Sequence, residues 1–202
     1  MTAIAEIELV LEFWFGTCGA DGAIDPARRK MWFKSGAQHD DEIRSRFGGL
    51  HERASRGALD AWAATVRGRL ALIVILDQFS RHIHRGMAQA FAQDPAAQEL
   101  ALAGIDDGID RELAPVQRSF FYLPLEHAED RALQALSVEC YERLAATVAD
   151  RWRKDYASFL DYARRHRDVI ERFGRFPHRN AALGRPSTPE EIAFLQQPGS
   201  SF

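Results

Sequence analysis

The stretch Leu70-Ala71-Leu72-Ile73-Val74-Ile75-Leu76-Asp77-Gln78-Phe79-Ser80-Arg81 opens on seven apolar residues and then admits polar ones without losing helical spacing. At about 100° per residue, Leu70, Ile73, Val74, Asp77, Arg81 and His84 fall within roughly a third of a helix circumference. Three polar side chains therefore share an apolar stripe. Asp77 precedes Arg81 by four residues, the favourable order for an intrahelical ion pair, and the neighbours predict at least partial burial. The apolar run, Leu70 to Leu76, falls far short of the roughly 20 residues a bilayer crossing needs.

Outward from this helix the punctuation is helical throughout. Asp25-Pro26 and Asp94-Pro95 each place a capping acceptor before a proline suited to the first helical position. Thr188-Pro189-Glu190-Glu191 has the capping-box pattern ahead of Ile192, Phe194 and Leu195. Gly16, Gly36, Gly86 and Gly174 follow periodic stretches as helix ends. No run alternates β-branched residues between turn signals, so no strand is expected. The reading is an all-α chain of eight or nine helices forming one domain over 1–202. Gln196 to Phe202 are the expected frayed end, with Phe202 as a residue that would dock.

Composition supports a folded, soluble chain. Of the 202 residues 46% are hydrophobic and 27% charged, well away from the composition of disordered chains. A net charge of −3 gives no global positive field, so neither nucleic acid nor an anionic membrane surface is an expected partner. Met1 to Phe15 carries Glu6, Glu8 and Glu12 and lacks a basic start and a small-residue cleavage site, so it does not read as a signal peptide. Cys18 and Cys140 are far apart, with no zinc or redox spacing. A cytoplasmic location with reduced thiols is expected.

Polar residues recur on apolar faces. After Pro124, Glu126 and Asp130 are read as heading the stripe Leu133, Ser137, Cys140, Tyr141 and Leu144, within the first two turns of a helix whose dipole favours negative charge. Tyr156, Phe159, Ala163, His166 and Ile170 form another face, placing His166 among apolar groups. Beyond it, Glu171-Arg172-Phe173-Gly174-Arg175-Phe176-Pro177-His178-Arg179-Asn180 concentrates donors in a bend stiffened by Gly and Pro.

Leu76-Asp77-Gln78-Phe79-Ser80-Arg81, Phe121-Tyr122-Leu123-Pro124-Leu125-Glu126-His127-Ala128-Glu129-Asp130 and Arg172-Phe173-Gly174-Arg175-Phe176-Pro177-His178-Arg179-Asn180 resemble strings of an uncharacterised bacterial family, the domain of unknown function DUF924. The resemblance runs from Phe13-Trp14-Phe15 to Pro186-Ser187-Thr188. It implies helical hairpins of the tetratricopeptide-like class and no established activity. Ser80 stands where the family is associated with proline, and His82-Ile83-His84 replaces an Asn and an aromatic, so no binding residue is carried over.

Three readings of the polar residues follow. In the first, Asp77, Arg81, Glu126, Asp130, His166 and the bend are a buried network tying helices together, in a protein whose role is interaction. In the second, Arg81, Arg175, His178, Arg179 and Asn180 hold an anionic small molecule or peptide carboxylate, with Glu126 or Asp130 orienting the arginines. In the third, Glu126, His127, Asp130, His166 or His178 supply ligands for a metal-assisted hydrolase, although no HExxH or paired ExxH spacing occurs. No resident metal or cofactor is expected. Nucleophile elbows and phosphate-binding glycine loops are absent, while a Glu126/Asp130 acid–base pair stays open. Phe13-Trp14-Phe15, Trp32-Phe33 and Phe120-Phe121-Tyr122 are candidates for core, pocket or homo-oligomer contact. The expected site lies where the helix of Asp77 and Arg81 meets Glu126, Asp130, His166 and the His178 bend.

Overall fold

The computed structural model describes residues 2–33 and 36–200. Among these residues no strand forms, and nine α-helices are joined by short 3-10 turns. Helix α1, Ala3–Phe15, starts behind Thr2, whose Oγ1 accepts from the Ala5 N–H, and stops at Gly16, where φ is 60°. Only glycine adopts that left-handed geometry without steric cost. Helix α2, Pro26–Phe33, is capped by Asp25, whose Oδ1 accepts from the Ala27 N–H at 2.7 Å. Helix α3 covers Asp40–Ser55. The end read at Gly36 borders Lys34 and Ser35, which lie outside the described residues, and Gly36 itself opens a 3-10 turn, Gly36–His39.

Helix α4, residues 66–83, is the hub. It joins an α segment, Val66–Ile73, to a π-helical segment, Val74–Phe79, and a last turn, Ser80–Ile83. Every residue from Leu70 to Asp77 is buried, as a helix that is apolar all round requires. The π segment turns each residue through less than an α-helix does. Val74, Ile75, Leu76 and Asp77 are all buried, as are Leu70 to Ile73 in the α segment before them. π segments of this length are rare and concentrate at functional sites.

Around α4 pack α1, α3, α5 (Asp94–Asp106) and α6 (Pro115–Glu126). Helices α7, Arg131–Ala145, and α8, Arg153–Phe173, then form antiparallel neighbours, α7 against α6 and α8 against α7. These consecutive pairs are helical hairpins, whereas α4 is surrounded by partners from several parts of the chain. The main core runs from Ile7 to Ala163. A separate small cluster of Val169, Ile170 and Phe176, with Phe173 and Phe194 against it, closes the C-terminal end. The short α9, Pro189–Leu195, has the full capping box of Thr188 and Glu191. No helix among the described residues is long and apolar enough to cross a membrane.

Three local expectations are corrected. Asp94 does not cap α5. It lies inside the first turn and is buried, drawn in by two guanidiniums. Pro124 does not start a helix but sits in the interior of α6, two residues before its end. Glu126 is therefore at a helix C-terminus, where the dipole disfavours a carboxylate. The tail from Gln196 to Ser200 is not frayed: Ser200 is buried, its Oγ donates to the Leu195 carbonyl, and Gly199 O accepts from Arg165. Ser201 and Phe202, the latter read as a docking residue, lie outside the described residues.

Candidate functional site

Asp77 is the centre of the polar region and has no solvent exposure. A lone carboxylate there would carry a large desolvation penalty, so its partners determine whether the fold tolerates it. Arg81 Nη1 lies 3.0 Å from Asp77 Oδ1 and donates to the Asp77 carbonyl at 2.8 Å. His127 Nδ1 is 2.7 Å from the same Oδ1, and Gln78 donates to Oδ2. Burial pushes the Asp77 carboxyl up, but Arg81 and then His127 outweigh it and hold the group below the usual carboxylate range. Asp77 is therefore an anion and an acceptor only, which fixes the tautomer of its neighbour. His127 Nδ1 carries the proton, and Nε2 keeps its lone pair.

That Nε2 has no hydrogen-bond partner among the described residues, and the His127 side chain is 15% exposed. Burial first, and Arg81 second, hold the imidazole below its ordinary range against the pull of Asp77. A neutral imidazole whose far nitrogen is anchored by a buried carboxylate is the arrangement that orients general bases.

The positive side of the network comes from two residues separated in sequence by four helices. Arg81 donates to both oxygens of Asp94, at 2.9 and 3.1 Å. Arg179 reaches Asp94 Oδ2 at 3.2 Å and the His127 carbonyl at 2.9 Å. Its guanidinium stacks between Phe91 and Phe176, 4.7 and 4.5 Å from the ring centres, and its Nε is buried with no acceptor among the described residues. Burial, then the Arg81 charge, lower the Arg179 pKa to about 10, so it remains a cation near neutrality. Two carboxylates face two guanidiniums, and the remaining groups are neutral.

Glu126 extends the region toward the interior. His166 Nδ1 lies 2.9 Å from the Tyr162 carbonyl and 3.2 Å from Glu126 Oε1. A carbonyl accepts only, so Nδ1 carries the proton here as well. Burial pushes Glu126 up to about 8, with added repulsion from Asp77 and against the neighbouring Tyr141 hydroxyl, which donates to the Ser119 carbonyl at 2.7 Å. Burial and the nearby His127 push His166 well below the ordinary histidine range. Beside Glu126 an apolar cavity of ≈ 340 Å³ opens between α2, α6 and α8.

Asp77, Arg81, Glu126, His127, His166 and Arg179 thus come together, and half-buried His178 lies close enough for Arg179, His127 and Arg81 to reinforce the effect of burial, which lowers its pKa to about 4. Three candidates do not join them. Asp130 is exposed and caps α7 by accepting from the Leu133 N–H at 2.9 Å, because α6 has already ended at Glu126. The two carboxylates therefore share neither a helix nor a face, and no acid–base pair forms. Arg175 is held by both oxygens of Glu191, at 2.7 and 2.9 Å. Asn180 turns to Ser187, Glu191 and Arg185, locking the bend rather than lining a site. The sequence reading missed Asp94, Gln78 and Phe91. Asp94 had a signal, an acid directly before a proline, but one equally satisfied by capping. Among the described residues no three His, Cys, Asp or Glu side chains converge as a metal-ligand set.

These features define an all-α protein with a buried charge network where its central helix meets the ends of α5 and α6. Residues 10–199 match the family described as "Bacterial protein of unknown function (DUF924)", and the chain belongs to it. A solved structure of a protein of unknown function from Agrobacterium tumefaciens is similar, with 36% identity and a TM-score of 0.81. The likeness covers 96% of this chain and 99% of that one. Comparison with curated proteins finds no match.

Proposed function

We propose that the protein binds a small anionic molecule at the His127 face of this network. The ligand's carboxylate or phosphoryl group lies toward Arg81 and Arg179, and a neighbouring O–H or N–H donates to His127 Nε2. The observation that supports this reading is the Asp77–His127 pair, which spends a fully buried carboxylate on orienting one imidazole and leaves its Nε2 open. An acceptor nitrogen beside two guanidiniums suits a hydroxycarboxylate or a protonated phosphate better than a bare anion, whose lone pairs Nε2 would repel. His127 is also placed to take that proton, because Asp77 would stabilise the resulting imidazolium. A cytoplasmic setting fits the two unpaired cysteines, Cys18 and Cys140. The metal-assisted hydrolase gains no donor set from the geometry.

The structural-network reading is favoured by one observation, that both guanidiniums already have acceptors inside the chain: Asp94 for each, the Asp77 carbonyl for Arg81 and the His127 carbonyl for Arg179. Thermal melting in the presence of lactate, malate, succinate, inorganic phosphate and short peptides separates the two. Ligand binding to the native state raises its stability. Lactate or malate is expected to raise the melting temperature by several degrees, and His127→Ala to abolish the rise. No shift with any of these compounds would leave the network as structure alone.

A further inference from the structure

The cavity of ≈ 340 Å³ beside Glu126 is distinct from the open face of His127, and its chemistry differs. Its walls carry the rings of Phe33, Phe120, Phe159 and Tyr162, and its floor carries Glu126 and Tyr141. Phe33 and Tyr162 are 53% and 49% exposed, so the aromatic lining reaches solvent at the mouth. Arg29, also at the rim, is paired with Asp155 and offers no free positive charge inward. The volume is within the range of small-molecule sites and has room for on the order of ten water-sized groups.

We propose that this cavity binds a hydrophobic amine as its ammonium ion, with the Glu126 carboxylate as counter-ion and the surrounding aromatic faces enclosing the apolar body. Ring faces are negative and attract cations, and a buried carboxylate is the one charged group that lines the floor. A carboxylate ligand would meet Glu126 in repulsion. A neutral alcohol would fill the same volume without charge compensation. The groups facing Glu126 are Tyr141 and His166 directly, with Asp77 behind. In the empty site burial keeps Glu126 protonated up to about pH 8. The ammonium arrives already protonated, so ion pairing near pH 7 releases the Glu126 proton to solvent and the charge balances. This inference does not depend on an anion binding at His127.

The test is titration calorimetry of the full chain at pH 7 with 2-phenylethylamine, 2-phenylethanol and phenylacetate, in two buffers of different ionisation heat. The amine is expected to bind at least tenfold more tightly than the alcohol and to release about one proton. Its affinity should rise between pH 6 and 8, and the alcohol's should not. Glu126→Gln, which keeps shape and neutrality, should reduce the amine to the level of the alcohol while leaving the alcohol unchanged. Equal binding of amine and alcohol, no binding of either, an amine affinity unaltered by Glu126→Gln, or tighter binding of phenylacetate would each overturn the proposal. Should Glu126→Gln not fold, proton release and the pH dependence of the unmodified protein still decide it. Failure here leaves the lactate and malate result at His127 untouched.

Discussion

At the scale of single residues, Asp94 does the most with the least warning. One side chain accepts from both guanidiniums of the network, so removing it leaves the buried Arg179 with no carboxylate and Arg81 with Asp77 alone. Breaking a buried pair by deleting one partner costs about 3–5 kcal/mol, because the charge left behind stays desolvated. Asp94→Ala is therefore expected to lower unfolding stability by about that amount in urea titration. A loss below about 1 kcal/mol would mean that Arg81 is satisfied by Asp77 alone and that Arg179 relaxes outward. By contrast, Asp130→Ala should cost only the ~1 kcal/mol of a helix cap, since its carboxylate touches the Leu133 N–H and not the network.

At the scale of elements, close approach sets the limits. Gly104 of α5 faces Phe121 of α6, and a Cβ there would lie 2.4 Å from Phe121 Cζ and 3.1 Å from Arg69 Cδ. Phe121 is fully buried and cannot swing away. Gly104→Ala is expected to destabilise by about 1–3 kcal/mol on denaturation despite raising helix propensity. An unchanged or improved stability would show that α5 can slide. The helices themselves were legible in the sequence because caps, glycine ends and 3.6-residue spacing agree along most of the chain. The face of α8 carrying Tyr156, Phe159, Ala163, His166 and Ile170 is buried as read. What was not legible came from departures from ideal α geometry. A π segment leaves no mark in the pattern Val74 to Phe79, and the proline inside α6 looked like a beginning. A helix break between Glu126 and Asp130 then separated two acids that ideal spacing would have aligned. Asp94 was hidden for another reason: its partners Arg81 and Arg179 are distant in sequence, and only tertiary packing brings them to it.

At the scale of the whole molecule, the buried titratable groups set a pH window. Burial lowers His51 and His178 to about 4 from an ordinary 6.5, and His127 and His166 move in the same direction. These rings are neutral when folded and protonate more readily when unfolded. The stability they contribute is present above pH 6.5 and is lost as pH falls toward 4. Glu126 works in the opposite sense. Raised from 4.5 to about 8, it favours the fold while protonated, and that contribution, full below 4.5, declines as pH rises and is gone above about 8. Melting temperature should therefore fall below pH 6.5, where the several histidines outweigh Glu126, and fall again from neutrality to about pH 8, and Glu126→Gln should flatten the decline between about pH 7 and 8 while keeping or steepening the acid limb. A decline above neutrality unchanged in that variant would assign it to another group. The C-terminal cluster of Val169, Ile170 and Phe176 adds a different sensitivity. It is small, and the chain around it is held by ion pairs of graded exposure: Arg172 with Glu190 at the surface, Arg185 with Glu129 partly exposed, and Arg175 with a buried Glu191. Mobile counter-ions screen such pairs over about 8 Å at physiological ionic strength, and over less in concentrated salt. The segment that carries Arg179 into the network is thus held in part by pairs that feel the ions of the surrounding medium, while the eight helices before it close on the apolar core from Ile7 to Ala163, whose contacts dissolved salt does not reach.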